Sequence, residues 1–114
     1  MKRRIPVGQL DTSYEPRDFT ASPLSGSADN ASGVVLGPMT TGRWLITAQQ
    51  DAYWLRGTST LAGTDVDVDE ATPTLSNPIY GGQFIEIDVT GSSDNYVAFR
   101  TAAGTALVQA IKQY

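Results

Sequence analysis

The chain of 114 residues is predicted to be all-β: an antiparallel β-sandwich or a jelly-roll-like barrel with an extended, irregular N-terminal arm. From residue 34 onward, short apolar runs alternate with turn-forming residues about every ten positions, which is typical of sandwiches and barrels. Before that point, three prolines and a run rich in Ser, Gly, Ala and Asn at 25–33 disfavour helix and strand interiors. We therefore divide the chain into an arm, 1–33, and a β-sandwich domain, 34–114.

The apolar runs of the domain predict seven strands, and the connections between most of them are short and rich in turn formers. Neighbouring strands are therefore expected to form hairpins or sandwich corners. The final run fits a helical or a strand period, and we predict a strand because a turn containing Gly104 precedes it. The predicted strands are 33–36, 43–49, 52–57, 65–69, 83–89, 95–101 and 105–112.

Alternation along the strands predicts which side chains face the core. In "QFIEIDV", the residues Ile85, Ile87 and Val89 share one face. Phe84, Glu86 and Asp88 then share the opposite face, so this strand should be buried on one side only. The strand "RWLITAQ" carries apolar residues on both sides, which indicates a central or covered position.

The arm contains apolar residues spaced like the anchors of an extended peptide. Ordering a backbone costs about 1 to 2 kcal/mol per residue, and few apolar groups are present to offset that cost. We expect the arm to become ordered on a neighbouring protein surface; the alternative is a solvated tail with incidental apolar residues. The predicted partner-binding residues are Lys2, Arg3, Arg4, Ile5, Val7, Leu10, Tyr14 and Phe19.

The net charge of −4 is unevenly distributed along the chain. Residues 1–17 hold four cations and two anions, whereas residues 18–114 hold four cations and ten anions. An acidic body repels nucleic acid, so no nucleic-acid partner is expected. The basic cluster at 2–4 would dock on an acidic surface, either a neighbouring copy or a protein shell, unless it is merely a solvated end.

The absence of cysteine and histidine removes most catalytic chemistry from consideration. Disulfides, thiolate nucleophiles, serine–histidine triads and the usual zinc sites are excluded, and the serines have no base to activate them. The two lysines stand near opposite ends of the sequence. We therefore expect no enzyme, no cofactor and no metal site. No apolar run reaches the roughly 18 to 20 residues of a membrane-spanning helix, and no signal peptide is recognised.

The motif "DVDVDE" at 65–70 is the one candidate for cation binding. In a strand, Asp65, Asp67 and Asp69 would share one face at a spacing of about 6.6 to 7 Å, too wide to converge on one ion. We interpret them as a solvated strand face that protects a sheet edge. The alternative is a cation site shared with a neighbouring subunit.

The motif "AYWLRG" is the candidate for an interface. Its alternation places Tyr53 on one face and Trp54 and Arg56 on the other. Aromatic and arginine side chains are common interface anchors, so all three are candidate interface residues. Tyr53, Trp54 or Tyr80 could alternatively form an exposed patch that stacks on sugar. The preferred interpretation places one ring of the 52–57 strand in the core and the other between subunits.

Four segments of the span 42–112 carry a resemblance to a known protein class. They are "GRWLITAQQDAYWLRG", "TLSNPIYGGQ", "QFIEIDV" and "NYVAFRTAAGTALVQAI". Their succession of aromatic strands and short Gly turns resembles small β-sandwich virion proteins of tailed bacteriophages, of the capsid decoration or cement type. The acidic stretch 65–70 and the N-terminal arm depart from that pattern.

The resemblance implies a non-enzymatic structural protein that is made in the host cytoplasm and located on the capsid exterior of the virion. Its partner would be the major capsid protein, and the protein itself would form a homotrimer, with neither a nucleic acid nor a membrane as partner. The alternative is an accessory module of the head or tail: a fibre, a connector, or a receptor- or carbohydrate-binding module.

Overall fold

A computed structural model describes residues 23–68 and 76–113 and confirms the predicted all-β fold. Eight strands and one turn of 3₁₀ helix, Gly63–Asp65, lie in these ranges. The strands are β1 (Leu24–Ala28), β2 (Val34–Leu36), β3 (Gly42–Ala48), β4 (Ala52–Gly57), β5 (Asn77–Ile79), β6 (Phe84–Val89), β7 (Tyr96–Arg100) and β8 (Ala106–Lys112).

The described strands form two four-stranded antiparallel sheets. The first sheet has the order β1-β8-β3-β6 and the second has the order β2-β7-β4-β5. The pairs β1–β8, β2–β7, β3–β6 and β4–β5 are nested, as if one long hairpin had been rolled up. Every connection except β4–β5 therefore passes from one sheet to the other, which is the jelly-roll arrangement.

The core lies between the two sheets and is built from alternate residues of each strand. Trp44, Ile46 and Ala48 of β3 point inward, as the alternation predicts. Phe99 of β7 faces them from the second sheet and is fully buried. The indole N–H of Trp44 donates a hydrogen bond to the Thr40 carbonyl at 2.8 Å, so this large ring is buried without an unsatisfied donor.

One set of hydrogen bonds joins the β1–β2 corner to the β7–β8 corner. Asp29 accepts hydrogen bonds from the backbone amides of Ser32 and Gly33, and these lower the pKa of its carboxyl. The side-chain amide of Asn30 donates to the Thr101 carbonyl, and the Thr101 amide donates to the Asp29 carbonyl. These bonds hold the corner beyond β1 against the corner that precedes β8.

A loop of the chain itself, residues 58–68, covers the outer face of the second sheet. The Leu61 side chain packs over Gly57 of β4, so close that a Cβ on this glycine would lie 3.2 Å from Leu61 Cδ1. Val66 of the same loop is fully buried. The Arg100 guanidinium donates to the Val66 carbonyl at 3.2 Å. Ala98 is fully buried although it belongs to the row of β7 that points away from the core.

The predicted boundary of the arm at residue 33 is wrong, because β1 belongs to the sandwich. Leu24–Ala28 pairs along its whole length with β8. Gly26 points inward, and a Cβ at this position would lie 2.8 Å from Val34 Cγ2. The Gly- and Ser-rich sequence that suggested an irregular segment is therefore the small-residue strand that this crowded position requires.

The predicted strand 65–69 is also wrong over the residues described. Asp65 ends the 3₁₀ turn, and its carboxylate accepts a hydrogen bond from the Ala62 amide at 2.9 Å. Val66 is buried as the anchor of the covering loop, so alternating polarity arises here without a strand. Conversely, Asn77–Ile79 was not predicted as a strand; it is a three-residue edge strand, the position in a sheet where a proline such as Pro78 is tolerated.

We predict that Gly63→Ala destabilises the fold by about 1 to 3 kcal/mol. A Cβ at Gly63 would collide with the Ser32 carbonyl and the Gly33 backbone, forcing the covering loop away from the second sheet. Gly91→Ala is the matched control, because a Cβ there meets nothing within 4 Å. Urea denaturation of both variants tests this, and equal midpoints would contradict the close packing of the loop.

We also predict that removing residues 1–22 leaves a cooperative fold, whereas removing residues 1–33 lowers the free energy of unfolding by at least about 2 kcal/mol. The longer deletion removes β1, loses the buried Ala28 and leaves one edge of β8 unpaired. Thermal unfolding of the two truncations distinguishes them. If both truncations unfolded at the same temperature, β1 would be shown not to contribute to the fold.

Candidate functional site

The outer face of the first sheet, which we term the open face, has no covering segment among the described residues. Its side chains come from alternate positions of β1, β8, β3 and β6, with the registers fixed by backbone pairing. They are Ser25, Ser27, Arg43, Leu45, Thr47, Phe84, Glu86, Asp88, Leu107, Gln109 and Ile111.

Large apolar side chains on the open face are exposed to solvent. The Phe84 residue is 64% exposed and Leu107 is 54% exposed, and both are among the most exposed large hydrophobic residues described. Leu45 and Ile111 are half-buried and stand directly opposite each other on β3 and β8. The open face therefore presents several apolar groups of neighbouring strands to the solvent, which makes it a candidate interaction surface.

A charged strip borders the apolar part of the open face. Arg43 forms ion pairs with Asp88 at 3.0 Å and with Glu86 at 3.7 Å, all on the outer side of β3 and β6. Because these side chains are partly exposed, the pairs contribute little to stability. Their position at the margin of the apolar residues resembles the polar rim of an interface.

The opposite margin of the open face contains a shallow depression of about 440 Å³ between β1 and β8. Ser25, Gly26 and Ser27 form one side of it, and Leu107 and Gln109 form the other. The small residues of β1 produce this depression, since a strand of larger side chains would fill it.

A second concave site, which we term the Tyr80 cleft, lies where three corners of the sandwich meet. It has a volume of about 370 Å³. The β3–β4 corner contributes Asp51, the turn after β5 contributes Tyr80, and the outward face of β4 contributes Tyr53. The remaining wall consists of Ala52, Pro78, Ala102 and Ala103.

The turn that carries Tyr80 is fixed to the β3–β4 corner by hydrogen bonds. The Gly81 amide donates to Asp51 Oδ1 at 2.8 Å, and the Gly82 amide donates to the Ala48 carbonyl at 2.8 Å. Gly82 has φ +84°, a left-handed conformation that glycine adopts without strain. Tyr80 is 59% exposed, and the turn that carries it is held in place by these hydrogen bonds.

The predicted interface residues of β4 lie on opposite sides of the strand. Tyr53 points outward and lines the Tyr80 cleft, whereas Trp54 packs against the core. Trp54 therefore cannot belong to an exposed aromatic patch with the two tyrosines. The participation of Tyr53, Trp54 and Arg56 in an interface stays a prediction.

Arg56 holds together the corner between β6 and β7. Its Nη2 atom donates to the carbonyls of Asp88 and Asp94 at 2.7 and 2.8 Å and lies 3.4 Å from the Asp94 carboxylate. Burial alone would raise the pKa of Asp94, but hydrogen bonds from Thr90 and Gly91 and the charge of Arg56 lower it overall. This cluster has a structural role in the corner.

Several predicted site residues lie outside the described ranges. They include the arm residues Lys2, Arg3, Arg4, Ile5, Val7, Leu10, Tyr14 and Phe19, together with Asp69. Within residues 23–68 and 76–113, no group of three acidic side chains could hold a metal ion. In the same ranges, no helix is long and apolar enough to cross a membrane.

Comparison with known proteins identifies no relative. No protein-family model matches the chain, and it matches neither a curated protein nor a solved structure.

The open face was predicted only in part, because β1, which contributes Ser25 and Ser27, was not predicted as a strand. The alternation of β6 correctly placed Phe84 on the outer side, and β8 was correctly assigned as a strand. Tyr53 and Tyr80 were named in the alternative aromatic patch and both line the cleft, but Asp51, Ala102 and Ala103 were not predicted to join them, because they come from separate corners that only the sheet topology brings together.

We predict that Asp94→Asn reduces the acid sensitivity of the fold. The pKa of Asp94 is lowered in the folded state, so its stabilising effect is complete above the ordinary value of 3.8 and is lost as pH falls through the folded value. Unfolding free energies measured by urea denaturation from pH 6 to pH 2 should fall less steeply below about pH 4 in this variant.

Thr90→Val provides a graded comparison for Asp94, because it removes the hydroxyl donor but keeps the backbone donor. It should reduce the acid sensitivity partially. If Asp94→Asn lost stability over the same pH interval and to the same extent as the wild type, the Asp94 cluster would not contribute.

Proposed function

We propose that this protein is a non-enzymatic structural protein that attaches to a repeated protein surface, the outside of a bacteriophage capsid, and stabilises the shell. The observation that carries the proposal is the open face, an uncovered sheet surface among the described residues with exposed Phe84 and Leu107. The resemblance of the span 42–112 to virion decoration proteins supplies the identity of the partner, the major capsid protein.

The contrast between the two sheets supports this assignment. The second sheet uses residues 58–68 to cover its outer side, and Val66 and Ala98 become fully buried. No segment described does the same for the first sheet, whose Phe84 and Leu107 remain in water. Burial against a partner would release about 25 cal/mol per Å² of apolar surface. The open face is therefore the better candidate for attachment.

The N-terminal segment joins the molecule at this same sheet. Residues 1–22 precede Pro23 and β1, which is one of the two edge strands of the first sheet. Fully extended, that many residues span at most about 70 to 80 Å, enough to cross an adjacent subunit. The cations Lys2, Arg3 and Arg4 would then reach acidic groups on the shell or on a second copy.

A shell multiplies weak contacts by symmetry, so each copy needs only a modest interface. We propose a homotrimer, because a cyclic trimer matches the local three-fold positions of a capsid. In that arrangement the three arms and three open faces engage the shell together. Sedimentation equilibrium of the purified protein measures the trimer directly.

The attachment is tested by co-sedimentation with expanded capsids that lack the protein. The full-length chain should bind with saturable, symmetric stoichiometry. Phe84→Ser should weaken binding by about tenfold or more, because an exposed aromatic anchor at an interface carries a large share of the affinity. Removing residues 1–22 should weaken it as well, and added salt should weaken the contribution of the basic cluster.

Tyr80→Ser is the matched control for Phe84→Ser, because it removes an aromatic side chain of similar exposure away from the open face. It should sediment with capsids like the wild type. The open face would be rejected as the attachment surface if Phe84→Ser and Leu107→Ser both bound normally. If the full-length chain failed to sediment, the capsid itself would be the wrong partner.

A further inference from the structure

We propose that the Tyr80 cleft binds a neutral sugar ring, such as the terminal pyranose of a surface glycan. The cleft brings together an exposed aromatic ring, a second aromatic side chain and a carboxylate around about 370 Å³. Ligand sites range from about 300 to 1,000 Å³, so this volume fits one sugar ring and not a large ligand.

The lining of the cleft matches the two-sided chemistry of a pyranose. A sugar ring has an apolar C–H face that packs on an aromatic ring, and a rim of hydroxyl groups that donate hydrogen bonds. Tyr80 supplies the ring, and Pro78 and the two alanines supply a smooth apolar wall. Asp51 supplies the acceptor, since Oδ1 binds the Gly81 amide and Oδ2 accepts no hydrogen bond from the described residues.

Other ligand classes fit this lining less well. Among the described residues, Asp51 is the one charged side chain that lines the cleft, so an anion would be repelled. A cation would find a single exposed carboxylate, and such a pair contributes about 1 kcal/mol or less. An extended peptide would add to a strand edge, but Pro78 of the adjacent edge strand β5 has no backbone N–H to offer.

The cleft is held in its binding shape before any ligand arrives. The Tyr80 turn is hydrogen-bonded to Asp51 and Ala48, and a Cβ on Gly81 would lie 2.8 Å from the Gln49 carbonyl. A ligand therefore does not have to order this loop, and the entropy cost of binding is reduced. We expect a dissociation constant in the roughly millimolar range for one sugar ring.

The sugar site has no lining residue in common with the proposed attachment surface. The cleft is built from Tyr53 of the second sheet and from the corners, whereas attachment would use the outer side of the first sheet. Attachment through the open face would therefore use none of the residues that line the cleft. The attached protein would display a glycan-binding site on the surface of the particle.

Saturation-transfer NMR on the full chain tests the site. The ligands are glucose, galactose, mannose, rhamnose, N-acetylglucosamine and N-acetylgalactosamine, each at 10 to 20 mM, a concentration chosen because about 1 mM affinity is expected. At least one should receive saturation. Tyr80→Ala should weaken its binding about tenfold, whereas Tyr80→Phe, which retains the ring, should change it by less than about twofold.

Asp51→Asn separates the carboxylate from the shape of the cleft. Asparagine retains an oxygen for the Gly81 amide but replaces the second acceptor oxygen by a donor, so sugar binding should weaken while thermal stability is maintained. Phe84→Ala is the matched control and should bind sugar like the wild type. Capsid attachment should be unchanged in Tyr80→Ala, which keeps this result independent of the proposed function.

The proposal would be overturned if none of the six sugars received saturation, or if Tyr80→Ala bound as the wild type does. A synthetic peptide of residues 1–10 is tested in parallel. Binding of that peptide, with no binding of sugars, would identify the cleft as a site for the basic N-terminal segment instead.

Discussion

The side chain of Arg100 links three segments that are distant in sequence: the end of β7, the β1–β2 corner and the covering loop. From the end of β7 it donates hydrogen bonds to the Asn30 carbonyl in the β1–β2 corner and to the Val66 carbonyl in the covering loop. It thereby holds the loop on the second sheet and the corner beside it. Because this bond holds the covering loop in place, the outer face of the second sheet is covered, whereas that of the first sheet is open.

The difference between the two outer faces makes the sandwich asymmetric, because only one of its two described sheets has an uncovered outer side. A sandwich with two open faces would present apolar surface on both sides and would risk stacking into uncontrolled assemblies. Here the loop that covers one sheet leaves a single broad surface for a partner among the described residues. Concave features at the corners remain available for small ligands, because corners are not occupied by sheet packing.

The sequence predicted strands wherever alternation involved large apolar side chains. β2, β3, β4, β6, β7 and β8 were predicted to within one residue at each end, because Val, Ile, Phe and Trp make the period of two visible. β1 was missed because the core residues that face it leave room only for a small side chain at Gly26. The resulting Gly- and Ser-rich sequence has the composition of a loop. The strand prediction for 65–69 was wrong for the opposite reason. Val66 is a buried loop residue between two aspartates, and this produces the alternating pattern of a strand without a strand.

The candidate sites were predictable only in part. The exposure of Phe84 follows from the alternation of β6 once its inward face is known. The Tyr80 cleft does not follow, because Asp51, Tyr80 and Ala103 stand far apart in sequence and no local pattern connects them. Tertiary topology, and in particular the corners between sheets, decides which side chains converge. Residue types alone therefore identified Tyr53 and Tyr80 as candidates for an aromatic patch, but not Asp51 or the alanines that complete the cleft.

The pairing of β1 with β8 has a consequence for biosynthesis. The first strand of the sandwich leaves the ribosome early, but its hydrogen-bonding partner is the last of the eight strands to be made. Nested pairing of this kind gives a high contact order, which slows folding because long loops must close before their contacts form. Until β8 arrives, the β1 segment and the matching edge of β3 have unpaired backbone groups. A nascent chain therefore passes through a stage in which it could exchange strands with another copy.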